Sequence, residues 1–230
     1  GGAVSEELHP DIERLQIVAK ALDKVYEQIV FVGGATTTLY IDDTAAPTSV
    51  ATQDIDCVVE ISSLGSFSKL EETLRKQGFK HPINQTNAPI CRWHLGEILV
   101  DIMPSDPAVL GFSNRWYPDG IANKVAKKLP NGTTIYLFSV PYFVASKIEA
   151  LKSRGGHDLR FSHDLDDIVL VLSGCSTASD ALARAPKKVS AYLKIEFRTL
   201  LANPLFFEAV EGSLATRNED IERAHRCIRI

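Results

Sequence analysis

The chain has 230 residues, 45% of them hydrophobic, enough for one compact domain or a domain with a small appendage, which excludes a disordered or fibrous protein. Its formal net charge of -4 argues against a protein that mainly coats duplex nucleic acid, although a local basic strip is still compatible with gripping a phosphate backbone. No stretch approaches the roughly 18 uninterrupted apolar residues of a membrane span, and the first ten residues lack a basic-then-apolar export pattern, so a cytoplasmic location away from membranes is expected.

Apolar side chains at Leu8, Ile12, Leu15, Val18, Leu22, Val25 and Ile29 recur every three or four residues, which predicts a helix over Ser5–Gln28. The apolar run Ile29–Val32 then stops at Gly33-Gly34 and gives way to Ala-Thr-Thr-Thr-Leu-Tyr, read as a strand, a tight turn and a helix start. A polar loop, 43–53, leads to a strand, Asp54–Ile61, and a helix is expected over Phe67–Gln77, ended by Gly78. Ile90–Leu95 and Glu97–Met103 pair as a hairpin around Gly96. Turn signals follow at Pro118-Asp119-Gly120 and Pro130-Asn131-Gly132, then a short strand, Thr134–Phe138.

Ser139 and Pro141 announce a helix running to Arg154 and closed by Gly155-Gly156. A second helix begins after Ser162 and stops at Gly174, and Ala178–Ile230 holds two or three helices broken near Pro186 and Pro204. The expected architecture is α+β: a mixed sheet with flanking helices over 1–140, then a helical C-terminal region, 141–230, packed on it. Cys57, Cys91, Cys175 and Cys227 are far apart and lack CxxC spacing, which suits reduced core thiols.

Acidic residues inside apolar strands are the anomaly, because a carboxylate that leaves water unpartnered costs several kcal/mol. In Asp54-Ile55-Asp56 the strand period turns both carboxylates to one face. Asp101 interrupts Ile98–Met103, and if that strand neighbours the first, the three acids converge on a hard cation such as magnesium or manganese. The plainer alternative makes Asp54 a strand-edge residue in water, but Asp56 lies one step deeper and no turn residue adjoins Asp101. Gly33-Gly34 permits a turn whose backbone N–H groups favour an anion, with hydroxyls at Thr36, Thr37 and Thr38; plain strand-to-helix geometry is the alternative. Neither G-x-x-x-x-G-K-[ST] nor G-x-G-x-x-G is present, which speaks against a P-loop ATPase or a Rossmann dehydrogenase.

In this order, a strand ending in Gly33-Gly34, then Asp54-x-Asp56, then a lone strand acid at Asp101 resembles the nucleotidyltransferase superfamily of the polymerase-β type. Pro141–Gly155, with Lys147 and Arg154, followed by Asp158 and by Ser162-His-Asp164-Leu-Asp-Asp167-Ile, looks like the AbiEii/AbiGii toxin-type branch. The resemblance covers most of 30–175. It implies Asp54, Asp56 and Asp101 as ligands of Mg2+ or Mn2+, with Asp101 also preparing the acceptor hydroxyl. It implies Gly33, Gly34 and Thr36 at the phosphates of an NTP, Lys147 as a cation for the triphosphate, and Asp167 as a further site residue. Ala35 departs from the family pattern and displaces Thr36 from direct phosphate contact.

The implied activity is transfer of an NMP from an NTP, such as ATP, to an acceptor hydroxyl on RNA, tRNA or a protein. The protein would then be a toxin-like component of a toxin-antitoxin or phage-defence system, with a cognate antitoxin as partner. The alternatives are an antibiotic-modifying small-molecule nucleotidyltransferase, favoured by an acidic C-terminal pocket, and a non-catalytic nucleotide-binding module. Plainer readings stand beside the site residues. Lys147 would be a solvated lysine, and Asp164, Asp166 and Asp167 would crowd a helix N-terminus, where the dipole stabilises each by roughly 0.3–1 kcal/mol. Lys187, Lys188, Lys194, Arg198, Arg223, Arg226 and Arg229 are candidates for a phosphate-tracking face.

Overall fold

A computed structural model describes residues 7–82, 88–154, 158–214 and 218–229. In chain order the elements are α1 (Pro10–Leu22), β1 (Ile29–Val32), α2 (Thr37–Tyr40), β2 (Asp54–Val59), α3 (Leu64–Lys76), β3 (Arg92–Leu95), β4 (Ile98–Pro104), α4 (Pro107–Leu110), α5 (Tyr117–Ala122), β5 (Lys124–Lys128) and β6 (Thr134–Phe138). The helical part follows as α6 (Val140–Ser153), α7 (His163–Gly174), α8 (Ala178–Ala183), α9 (Lys187–Ala202), α10 (Phe206–Leu214) and α11 (Asn218–Ile228). The fold is α+β, with one mixed six-stranded sheet in the order β3-β4-β2-β1-β6-β5.

Strand periodicity divides the core into two layers. Ile55, Cys57, Val59, Val100 and Ile102 face α1 and α3. Val30, Val32 and Val58 face the other way, into a larger core built from α6, α7, α9 and α10. Asp54 and Asp56 share the parity of Val58 along β2, so they point toward the C-terminal helices, at the end of the sheet where that core stops. β2 runs parallel to β4 and antiparallel to β1, which brings the two acid-bearing strands side by side.

Several expectations hold and others shift. The hairpin around Gly96, the helix after Ser162 and the breaks near Pro186 and Pro204 are present. Helix α3 starts at Leu64 rather than Phe67 because the Ser63 hydroxyl accepts the Ser66 N–H. Helix α1 ends at Leu22 and continues as a 3-10 segment over Asp23–Gln28, while Ser5 lies outside the described residues, as does the Gly155-Gly156 stop.

Pro118-Asp119-Gly120 is not a turn but the first part of α5. Pro118 occupies the helix start, and Gly120 is needed because a Cβ there would come within 2.7 Å of the Phe138 ring. Four helices, α8 to α11, fill the region expected to hold two or three. All four cysteines are free and buried. No helix among the described residues is long and apolar enough to cross a membrane.

Candidate functional site

The register that pairs β2 with β4 sets Asp56 opposite Asp101 and Asp54 opposite Leu99. Each of Asp54, Asp56 and Asp101 thereby offers one carboxylate oxygen within 4.8 Å of the others. Asp101 is 8% exposed, and Asp54 and Asp56 are half-buried. Burial, together with the charges of Asp54 and Asp101, pushes the Asp56 carboxyl up to about 7. A set of three carboxylates, one of them raised by burial and by its two acidic neighbours, fits a hard divalent cation by the chemistry of its donors.

Arg92 is part of the same cluster, and sequence reasoning missed it. It sits on β3 opposite Asp101, donates from Nε and one terminal nitrogen to the two Asp101 oxygens at 2.8 and 2.7 Å, and reaches Asp54 Oδ2 at 3.1 Å. The fork geometry is the strong form of a charge-assisted pair, and Asp101 in particular holds the guanidinium well above its usual pKa. The signal was available: Arg92 is a cation in a strand, as anomalous there as the acids were.

The glycine turn abuts both halves of the site. Gly33 has φ +75, and a Cβ on it would run into the Asp56 carboxylate. A Cβ on Gly34 would lie 2.7 Å from Thr52 Cγ2 and 3.3 Å from Asp167 Oδ2. The two glycines are therefore set by close approach of backbone to Asp56 at Gly33 and to Thr52, with Asp167 next, at Gly34. Thr36 lies elsewhere: it is fully buried, and its hydroxyl donates to the Gly33 carbonyl at 2.8 Å, so it braces the turn from inside.

Lys147 reaches the site from α6. It is 8% exposed and lies 2.7 Å from Asp167 Oδ2 and 3.2 Å from Asp164 Oδ1, so it is not a solvated surface lysine. Burial alone would lower its pKa, but Asp167 and Asp164 outweigh that and hold the ammonium above its ordinary value. Burial raises Asp167, opposed by Lys147 and the Thr37 hydroxyl. Arg154, at the end of α6, pairs with Asp164 from the solvent side. Asp166 accepts from the Ser213 hydroxyl at 2.6 Å. The crowding at the start of α7 is thus a buried ion network rather than a helix-dipole arrangement alone.

Between the two halves lies a cleft of about 810 Å³, lined by Gly34, Thr52, Asp54, Asp56, Lys147 and Asp167 among others, with Arg154, Arg160 and His163 also on its wall. That volume suits a nucleotide-sized ligand. Among the candidates for a phosphate-tracking face, Lys187, Lys194 and Arg198 are exposed along α9, whereas Lys188 pairs with Asp119 at 2.7 Å. Arg223 is spent on the Ser173 carbonyl and Asp43, and Arg226 pairs with Glu222.

The loop that carries Asp54 into position is tied to α1. Asp11 is fully buried, accepts the Thr52 N–H at 3.2 Å and pairs with Arg14, which also donates to the Thr52 carbonyl. The Thr52 hydroxyl in turn donates to the Asp54 carbonyl at 2.8 Å. Asp11→Ala should therefore lower stability by about 2–3 kcal/mol, through loss of a buried, hydrogen-bonded charge, and weaken Mn2+ binding as the loop loosens. Urea unfolding and a Mn2+ titration check this; an unchanged unfolding midpoint would show the tether to be dispensable.

The structure thus lines one cleft with Gly34, Asp54, Asp56, Lys147 and Asp167, sets Gly33 and Asp101 against Asp56, leaves Thr36 inside the turn, and adds Arg92 to the acid cluster and Asp164 and Arg154 to the cleft wall. No protein-family model matches the chain, and no curated protein matches its sequence.

Proposed function

We propose that this protein is a metal-dependent nucleotidyltransferase that moves an NMP from an NTP to an acceptor hydroxyl with release of pyrophosphate. The observation that carries the reading is the convergence of Asp54, Asp56 and Asp101 beside Gly33-Gly34, facing Lys147 across a cleft of about 810 Å³. Asp54 and Asp56 are the residues that would hold Mg2+ or Mn2+. Such an ion, when bound, neutralises phosphate charge and makes the attacking hydroxyl more acidic.

The protein's own groups do the rest by position. Gly34 lines the cleft beside Lys147, whose ammonium is the cation a phosphate would meet there. Lys147, held charged by Asp164 and Asp167, offers a fixed cation to the triphosphate, while Arg154 and Arg160 at the mouth are already paired, the first with Asp164 and the second with Asp158 and Glu208. The acceptor oxygen attacks the α-phosphorus as the bond to the pyrophosphate oxygen breaks, and the hydroxyl proton passes to solvent in the cleft. Asp101 is poorly placed as the base for that hydroxyl, because Arg92 occupies both its oxygens. Carboxylates outnumber cations around the cleft, so NTP binding should depend on the divalent ion.

A macromolecular acceptor, RNA, tRNA or protein, agrees with an open cleft and with the exposed Lys187, Lys194 and Arg198 on α9. A second reading, transfer to a cationic small molecule, is favoured by one observation: Asp164, Asp166 and Asp167 line the C-terminal wall. Incubation with each labelled NTP and Mg2+ separates them. Label in total RNA or protein supports the first acceptor, and label on an aminated small molecule the second. No chelator-sensitive label in any fraction would remove the enzymatic reading.

A further inference from the structure

The three acids carry a resident positive charge before any metal arrives. Arg92 does not approach them from a loose loop. Its backbone is locked in β3 opposite Asp101, its N–H donates to the Pro89 carbonyl at 2.9 Å, and its carbonyl lies 3.2 Å from the His81 ring nitrogen. The side chain is 22% exposed and makes contacts at 2.7, 2.8 and 3.1 Å to two carboxylates. Removing it would leave Asp101, 8% exposed, as an unpaired buried charge, which is the costly way to break a buried pair. No hinge is needed for the guanidinium to remain where it is.

The consequence is a count. Clustered carboxylates in phosphoryl-transfer sites commonly take two divalent ions about 3.5–4 Å apart. Here both oxygens of Asp101 and Oδ2 of Asp54 are engaged by the guanidinium. Asp54 Oδ1 and the Asp56 carboxylate are left, the latter with no side-chain hydrogen bond among the described residues. One guanidinium and one divalent ion together balance three carboxylates.

We propose that Arg92 is a built-in cation that fills one of the two positions the acid cluster offers, so that the nucleotide-free protein takes a single divalent ion on Asp54 and Asp56. This deepens the metal-dependent reading above and rests on it. It assigns to an arginine on the sheet edge a role that would otherwise fall to a second metal, with Asp101 serving as that arginine's anchor rather than as a metal ligand.

The test is a Mn2+ titration of the full chain without nucleotide, with free Mn2+ followed by electron paramagnetic resonance and thermal midpoints read in parallel. The expected result is one ion for the parent, two for Arg92→Gln, and one for Arg92→Lys, which keeps the charge. Arg92→Gln should also gain more thermal stability from Mn2+ than the parent. If Arg92→Gln folds only when Mn2+ is present, the ion is replacing the guanidinium, which supports the assignment. Two ions in the parent, or one ion still in Arg92→Gln, would overturn it while leaving the metal site standing. No ion in any of the three proteins would overturn the metal reading itself, and the proposal with it.

Discussion

Asp56→Asn should abolish chelator-sensitive nucleotide incorporation, by roughly 10³-fold or more, and at the same time make the metal-free protein more stable above pH 7. The two effects share one cause. Burial and two neighbouring acids raise the Asp56 pKa from 3.8 to about 7 in the folded chain. The native state therefore keeps a proton that the unfolded chain gives up, and metal-free stability falls as pH rises from about 4 to about 7. An amide of the same shape, still seated against Gly33, removes that penalty, and a gain in midpoint of roughly 5 °C is expected at pH 8, shrinking at pH 5. A divalent ion relieves the same repulsion in the parent, so its stabilising effect should be larger at pH 8 than at pH 6 and absent in Asp56→Asn. Thermal midpoints in chelator and in Mn2+, beside labelling assays, measure all of this. Equal labelling by the variant would defeat the metal assignment; a lower midpoint at pH 8 would defeat the electrostatic account.

Much of the site was legible because charge in an apolar strand is expensive and must be explained. Asp54, Asp56 and Asp101 stand out on that ground, and strand parity puts the first two on one face; only the β2–β4 register shows that the third meets them. Arg92, a cation in a strand, is the fourth member and is anomalous on the same ground. Local signals failed where packing overrode them. Pro118-Asp119-Gly120 has turn chemistry, yet Gly120 serves to let the Phe138 ring lie against a helix. The strand β5, Lys124–Lys128, has almost no apolar alternation and exists because it pairs along its whole length with β6; its lysines mark it as a sheet edge. Thr36 was drawn toward the phosphates by the resemblance, although the departure at Ala35 already pointed to the outcome, a hydroxyl turned back onto the Gly33 carbonyl.

A solvated Lys147 would tolerate substitution with little harm to folding, and burial reverses that expectation. With Lys147 at 8% exposure and ion-paired to Asp167 and Asp164, Lys147→Met should cost about 3–5 kcal/mol, because two carboxylates lose their central cation and Arg154 covers only Asp164. The loss should be nearly constant between pH 6 and 9. The folded pKa lies above the ordinary 10.5, so the contribution of the charged lysine is fully present below that value and fades only above it. Adding Asp167→Asn to Lys147→Met removes the most exposed consequence of the missing charge, an unpaired carboxylate beside Gly34, and should restore much of the stability. It should not restore activity, since the cation aimed into the cleft is still gone. Denaturant unfolding and labelling of the single and double variants therefore divide the structural share of Lys147 from its share in binding the triphosphate. A single variant as stable as the parent would refute the buried network, and a double variant as active as the parent would leave Lys147 a structural residue only.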